Sequence, residues 1–138
     1  MSIDKEFVRK LVADVLESIR VIEEYCSKPF DELSQAEKIG VRYHIIVLVE
    51  ALTALAYHIA RRLYGLEPTT PIQTFRFLAD RGLVNSDELR DIEALIRLRN
   101  LLVHRYWVID DRRIYENVKN DFRSVKRFVE RLKNVLGV

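Results

Sequence analysis

Four side chains suited to acid–base and anion chemistry fall within eight residues of this chain: Arg99, Asn100, His104 and Tyr106. Arginine offers a permanently charged fork of donors that matches phosphate oxygens. Histidine titrates near neutrality without special tuning, so it can give or take a proton. Together they are the parts needed to cut an RNA backbone without a metal. The ribose 2′-hydroxyl would attack the adjacent phosphate, His104 would act as base at the 2′-oxygen or acid at the leaving 5′-oxygen, and Arg99 would neutralise charge at phosphorus. Asn100 either orients His104, its i,i+4 neighbour, or donates to a phosphate oxygen. The plain alternatives stand beside this reading: an ion-paired surface arginine, a helix histidine satisfied by a neighbouring carbonyl, and a Tyr106 that packs on Trp107 or Ile109.

The elements that must position these residues are helical throughout. Ile3, Phe7, Leu11, Val15, Ile19 and Ile22 repeat at three-to-four spacing and predict a helix from Ile3 to about Cys26, stopped by Pro29. Ser34-Gln35-Ala36-Glu37 spells a capping box that opens a long helix to about Tyr64, with Gly65 beyond its end. The centre of that helix, Ile45 to Ala56, is apolar on nearly all sides, which predicts burial on more than one face and a subunit interface. Thr70 and Pro71 open a short helix to about Arg81, and Asn85 with Glu88 opens another from Ser86 through the motif. In that helix Leu95, Leu98, Leu101 and Leu102 are expected to face the core. Ile92, Ile96 and Val103 are expected to form a second apolar stripe beside Arg99 that covers a partner. Asp110-Asp111 makes a turn, and Ile114, Val118, Phe122, Val125, Val129, Leu132 and Leu136 mark the last helix. The fold class is therefore all-α: an antiparallel four-helix bundle with one short additional helix, a single domain over residues 1–138.

Composition narrows the function classes. The net charge of +2 announces no global field, while 16 Arg against 7 Lys favours bidentate phosphate contacts or simply reflects genome composition. Cys26 stands alone, which excludes an intramolecular disulfide and a Cys-based zinc site, and fits a reducing cytoplasm. The charged N-terminus lacks a signal-peptide core, and Glu50, His58, Arg61 and Arg62 interrupt the most apolar stretch, so no membrane span is expected. No glycine-rich phosphate loop, nucleophile elbow or His-Glu-x-x-His spelling occurs, and neither cofactor nor metal is expected. His44 and His58 read as interface or core-edge residues, and Tyr25, Tyr43, Tyr57 and Tyr64 as packing. Arg61-Arg62 and Arg112-Arg113 either line an RNA groove or sit at solvated helix ends.

The joint spelling Arg99-Asn100-x-x-Val103-His104-x-Tyr106 resembles the signature of HEPN-domain proteins, in particular the HepT-like toxins. The likeness extends to the long helix with Glu50-Ala51-Leu52, the Pro68-to-Pro71 loop and the Phe75-to-Leu83 segment, in that order. What the resemblance implies is a cytoplasmic homodimer that cleaves RNA as the toxin of a type VII toxin–antitoxin pair. Its partner would be an MntA-like nucleotidyltransferase that transfers AMP to the motif tyrosine, Tyr106 here. The alternative is a non-catalytic dimeric helical module that binds a nucleotidyltransferase or nucleic acid.

Overall fold

A computed structural model describes residues 2–138, and among these there is no strand. The helices are α1 (Lys5–Tyr25), α2 (Gln35–Tyr64), α3 (Pro71–Asp80), α4 (Ser86–His104) and α5 (Asp111–Leu136), with single 3-10 turns at Phe30–Glu32 and Tyr106–Val108. Their starts are written in the sequence. Ser34 with Glu37 and Asn85 with Glu88 close as reciprocal capping boxes, and Thr70 caps α3 just before Pro71. Asp110 accepts from the amides of Arg112 and Arg113, so the Asp110-Asp111 turn is the N-cap of α5. Each such cap contributes about 1 kcal/mol. α2 stops at Gly65, whose φ of 63° would strain any residue with a Cβ. α1 is shorter than its apolar repeat: Asp4 caps it through the amide of Phe7, and it ends at Tyr25, before Pro29 can act.

The long helices run antiparallel in neighbouring pairs. His58, late in α2, accepts from the Asp4 amide at 3.0 Å, while Tyr25 at the far end of α1 lies against Gly40. Arg131, late in α5, holds the buried Glu88 at the start of α4 through Nη1 and Nη2, the latter at 2.7 Å. One continuous core fills the bundle, with Phe75, Phe122 and Phe128 fully buried and the rings of Phe75 and Phe128 edge-to-face at 5.8 Å. Arg42 of α2 clamps Asp111 with two bonds of 2.8 and 2.7 Å. That half-buried bidentate pair fixes the start of α5, and with it the connection from α4, against α2.

Two expectations are corrected. Ile92 and Ile96 are buried inside this chain and Leu101 is exposed, so α4 carries one core face and not two. Helical geometry gives the reason. Measured from Arg99, Ile92 and Ile96 lie at about +20° and +60° and Leu95 and Leu102 at about −40° and −60°, all on one side, whereas Leu101 lies at about 200°. Only Val103 of the expected stripe remains exposed. Second, α2 does contain an eighteen-residue window of mean hydropathy 1.6, long and apolar enough by composition to cross a membrane. Its apolarity serves the core: ten of its residues, among them Ile45, Leu48, Leu52, Leu55 and Ile59, are buried in the bundle.

Candidate active site

The motif lies at the end of α4. Arg99 is in the last two turns, held at the α2 edge: its Nη2 donates to Glu50 Oε1 at 3.1 Å and its Nη1 to Asn100 Oδ1 at 3.3 Å. The side chain is 27% exposed and Glu50 57%, so the pair is open to water on one side. An ion pair this exposed is worth about 0–1 kcal/mol, weak enough for a phosphate to displace the carboxylate. Asn100 thus bonds Arg99 in the single chain, and among the described residues no side chain bonds the His104 imidazole, which is exposed in the last position of α4.

His104 follows Arg99 by five residues, about 7.5 Å along the axis and about 140° around it. The two side chains of one copy therefore point apart. Within one chain they do not bond each other.

The helix ends without glycine or proline. Arg105 leaves it at φ −142°, ψ 46°, its amide still bonded to the Leu101 carbonyl at 2.7 Å. Aromatic and β-branched residues from Tyr106 to Ile109 are poor helix formers, and Asp110 already caps α5, so the chain turns within five residues. Tyr106 and Trp107 sit on this 3-10 turn, 63% and 67% exposed, their rings edge-to-face at 5.5 Å. Tyr106 is therefore off the helix, packed on Trp107, with its phenol in solvent.

Between α4 and α5, beside this turn, lies an open groove of about 830 Å³ floored by Leu98, Ile114 and Val118, with Val108 and Ile109 in its lining. Arg90, Arg97, Arg113, Arg123 and Arg127 line it. At its side Ser124 donates to Asp91, and burial together with the Asp91 carboxylate pushes Asp121 up to about 6, against the opposing pull of Arg90. Of the paired arginines singled out in the sequence, only Arg113 reaches this groove. Arg61 pairs with Glu67 at 3.1 Å, Arg62 donates to the Ser2 carbonyl, and Arg112 pairs with Asp31 at 2.8 Å. Among the described residues no three His, Cys, Asp or Glu side chains are grouped to hold a metal.

The family model for ribonuclease HepT-like proteins matches residues 15–132, which include the whole motif. The chain belongs to the ribonuclease HepT-like family. Among solved structures, the cytosolic protein YutE from Bacillus subtilis superposes on this HepT-like chain with a TM-score of 0.84 at 18% identity, covering 100% of this chain and 97% of that one. A mutant MntA–HpeT toxin–antitoxin complex gives 0.78 at 20% identity, covering 94% and 98%. The tri-AMPylated Shewanella oneidensis HEPN toxin, in complex with its MNT antitoxin, gives 0.76 at 20%, covering 93% and 97%. At such identities the likeness establishes the shared HEPN helical fold. No curated protein sequence matches significantly.

Sequence reasoning missed Glu50 as the partner of Arg99, Trp107 as an exposed platform, and the arginine-lined groove. Glu50 was findable as the one Asp, Glu, Lys or Arg between Arg42 and Arg61 of an otherwise apolar helix. The groove was not, because it is shared by two helices whose facing could not be read from either alone.

Proposed function

We propose that this HepT-like chain is a metal-independent endoribonuclease, the toxin of a type VII toxin–antitoxin pair, working in the cytoplasm as a homodimer. One observation carries the reading. The full Arg99, Asn100, His104 and Tyr106 set occurs in a ribonuclease HepT-like chain, with His104 and Tyr106 exposed where α4 ends and Arg99 held by the exposed Glu50 carboxylate and the Asn100 side chain. In the reaction the 2′-oxygen forms a bond to phosphorus as the bond from phosphorus to the 5′-oxygen breaks. The 2′-hydroxyl proton passes to one His104, and the leaving 5′-oxygen takes a proton from a second. A 2′,3′-cyclic phosphate and a free 5′-hydroxyl result. Arg99 stabilises the charge that gathers on the phosphoryl oxygens, and Asn100, released when Arg99 leaves it, holds His104 or a phosphate oxygen.

Two copies are required because one chain has one His104 and its arginine points away. α2 offers the surface: Ile39 and Tyr43 are exposed, and Ile46, Val47 and Ala54 are only partly covered, on a stripe that also carries Glu50. Pairing copies along that stripe would cover the apolar surface and bring two Arg99 side chains to a common cleft. Tyr106 is the proposed acceptor of AMP from an MntA-like nucleotidyltransferase, and its exposed phenol suits that role. The added phosphodiester would set negative charge and bulk where the substrate phosphate must lie.

The reading is tested by expressing the chain alone in a host without the antitoxin. Wild type should arrest growth and His104→Ala should not, at equal protein levels. Equal growth of both, with both folded, would remove the toxin assignment.

A further inference from the structure

Trp107 is the only tryptophan in the chain, and it is 67% exposed three residues beyond the proposed proton carrier. Covering a large apolar ring left in water on a short turn is favourable. The next residues of the turn, Val108 and Ile109, line the α4–α5 groove. Of its arginines, Arg90 is engaged by Asp87 and Asp91, and Arg97 by Glu93 at 3.3 Å. Arg113 and Arg127 have no ion-pair partner among the described residues, and Arg123 donates only to the Asn120 side-chain Oδ1. Of the groove's four carboxylates, Asp110 caps α5, Asp91 is bonded by Ser124 and Arg90, and Asp87 faces Arg90 at 3.7 Å, while Asp121 has no ion-pair partner among the described residues. Arg113 and Arg127 lie on one face of α5, fourteen residues and about 21 Å apart, the length of about six nucleotides in a stacked strand.

An exposed aromatic platform beside an arginine-lined groove is the combination that holds single-stranded nucleic acid: bases stack on rings while the backbone follows the positive charge. We propose that single-stranded RNA crosses the Tyr106–Trp107 turn with one base stacked on Trp107 and its flanking phosphates running into the α4–α5 groove onto Arg113 and Arg127. The proposal rests on the RNA-cleaving reading and adds to it the site that grips the substrate beside the scissile phosphate. It also gives AMP on Tyr106 a second effect, since an adenylate there would occupy the neighbouring stacking position.

The test uses a 2′-O-methyl oligouridylate decamer, which lacks the nucleophilic hydroxyl and is bound without being cut. Emission of the sole tryptophan should fall saturably as the decamer is added to the intact protein. With a labelled decamer followed by anisotropy, Trp107→Ala should weaken binding by about 5- to 100-fold, and Trp107→Phe should largely restore it. The double change Arg113→Gln and Arg127→Gln should lower the slope of log affinity against log salt by about 1.4, or about 0.7 for each lost phosphate contact. Circular dichroism of each variant verifies that the surface change leaves the bundle intact. No quenching, or an affinity indifferent to Trp107→Ala, overturns the proposal. So does quenching that only a nucleotidyltransferase antitoxin produces, which would make the turn a protein-docking surface. Because the decamer is not cleaved, the result is separate from catalysis. Cleavage of ordinary RNA without quenching removes this site and leaves the enzyme, whereas quenching without cleavage does the reverse.

Discussion

Replacing Asp121 by asparagine should stabilise the protein at pH 8 and change little near pH 4. Asp121 stands on α5 in the groove wall, partly buried, near the Asp91 carboxylate of α4. Burial first, and Asp91 second, raise it from an ordinary 3.8 to about 6. The folded state therefore holds its proton more tightly than the unfolded chain does. The contribution is fully present below about pH 3.8 and is lost as pH rises through about 6, because the fold must then carry a charge it disfavours. At about 1.36 kcal/mol per pKa unit the gap corresponds to roughly 3 kcal/mol as an upper bound. Water in the open groove screens the charge, which reduces the expected effect to about 1–2 kcal/mol. Asparagine keeps the shape and cannot ionise. Urea unfolding of both proteins at pH 8 should show the variant ahead by that amount, and the lead should shrink towards zero as pH falls to 4. In an Asp91→Asn background the lead at pH 8 should be smaller, since part of it comes from that carboxylate. An Asp121→Asn protein no more stable than wild type at pH 8, or a lead independent of pH, would show that the fold does not disfavour the Asp121 charge.

Two further outcomes follow from the site. Glu50→Ala removes the carboxylate that competes for Arg99, so it should tighten binding of an uncleavable RNA by up to about 5-fold while costing at most about 1 kcal/mol of stability; weakened binding in a filter or anisotropy assay would show Glu50 to be part of the grip itself. Co-expression with the cognate nucleotidyltransferase should add about 329 Da per AMP unit to the wild type and nothing to Tyr106→Phe, read by intact mass and peptide mapping, whereas an adduct on Tyr115 would move the acceptor.

Much of the fold was legible because its signals are local. Ser34/Glu37, Asn85/Glu88 and Thr70-Pro71 each fix a helix start by satisfying amides within one turn, and Gly65 fixes an end by its positive φ. The α5 repeat from Ile114 to Leu132 reads directly as a buried stripe. The end of α4 was less legible. Nothing at Arg105 breaks a helix by itself; the turn follows from the cap at Asp110 and the anchoring of Asp111 by Arg42, sixty-nine residues away in sequence. The facing of α4 is not read from its apolar spacing alone, because Ile92 and Ile96 share one side with Leu95 and Leu102 and pack in the core of this chain. In the site, the motif gives residue types and order but not the divergence of Arg99 and His104, nor the bond between Arg99 and Glu50, which depends on how α4 lies against α2.

The proposed cleavage of RNA needs only the chain's own side chains and the substrate's 2′-hydroxyl. Purified protein should therefore be incubated with single-stranded RNA in excess EDTA, next to an identical strand carrying one 2′-deoxy linkage at the mapped cut. The expected result is cleavage in EDTA that leaves a 2′,3′-cyclic phosphate, no cut at the deoxy linkage, and a loss of about 10²–10⁴-fold in rate for His104→Ala with the bundle still folded. Cleavage that stops in EDTA, or that proceeds equally at the deoxy linkage, would rule out this mechanism.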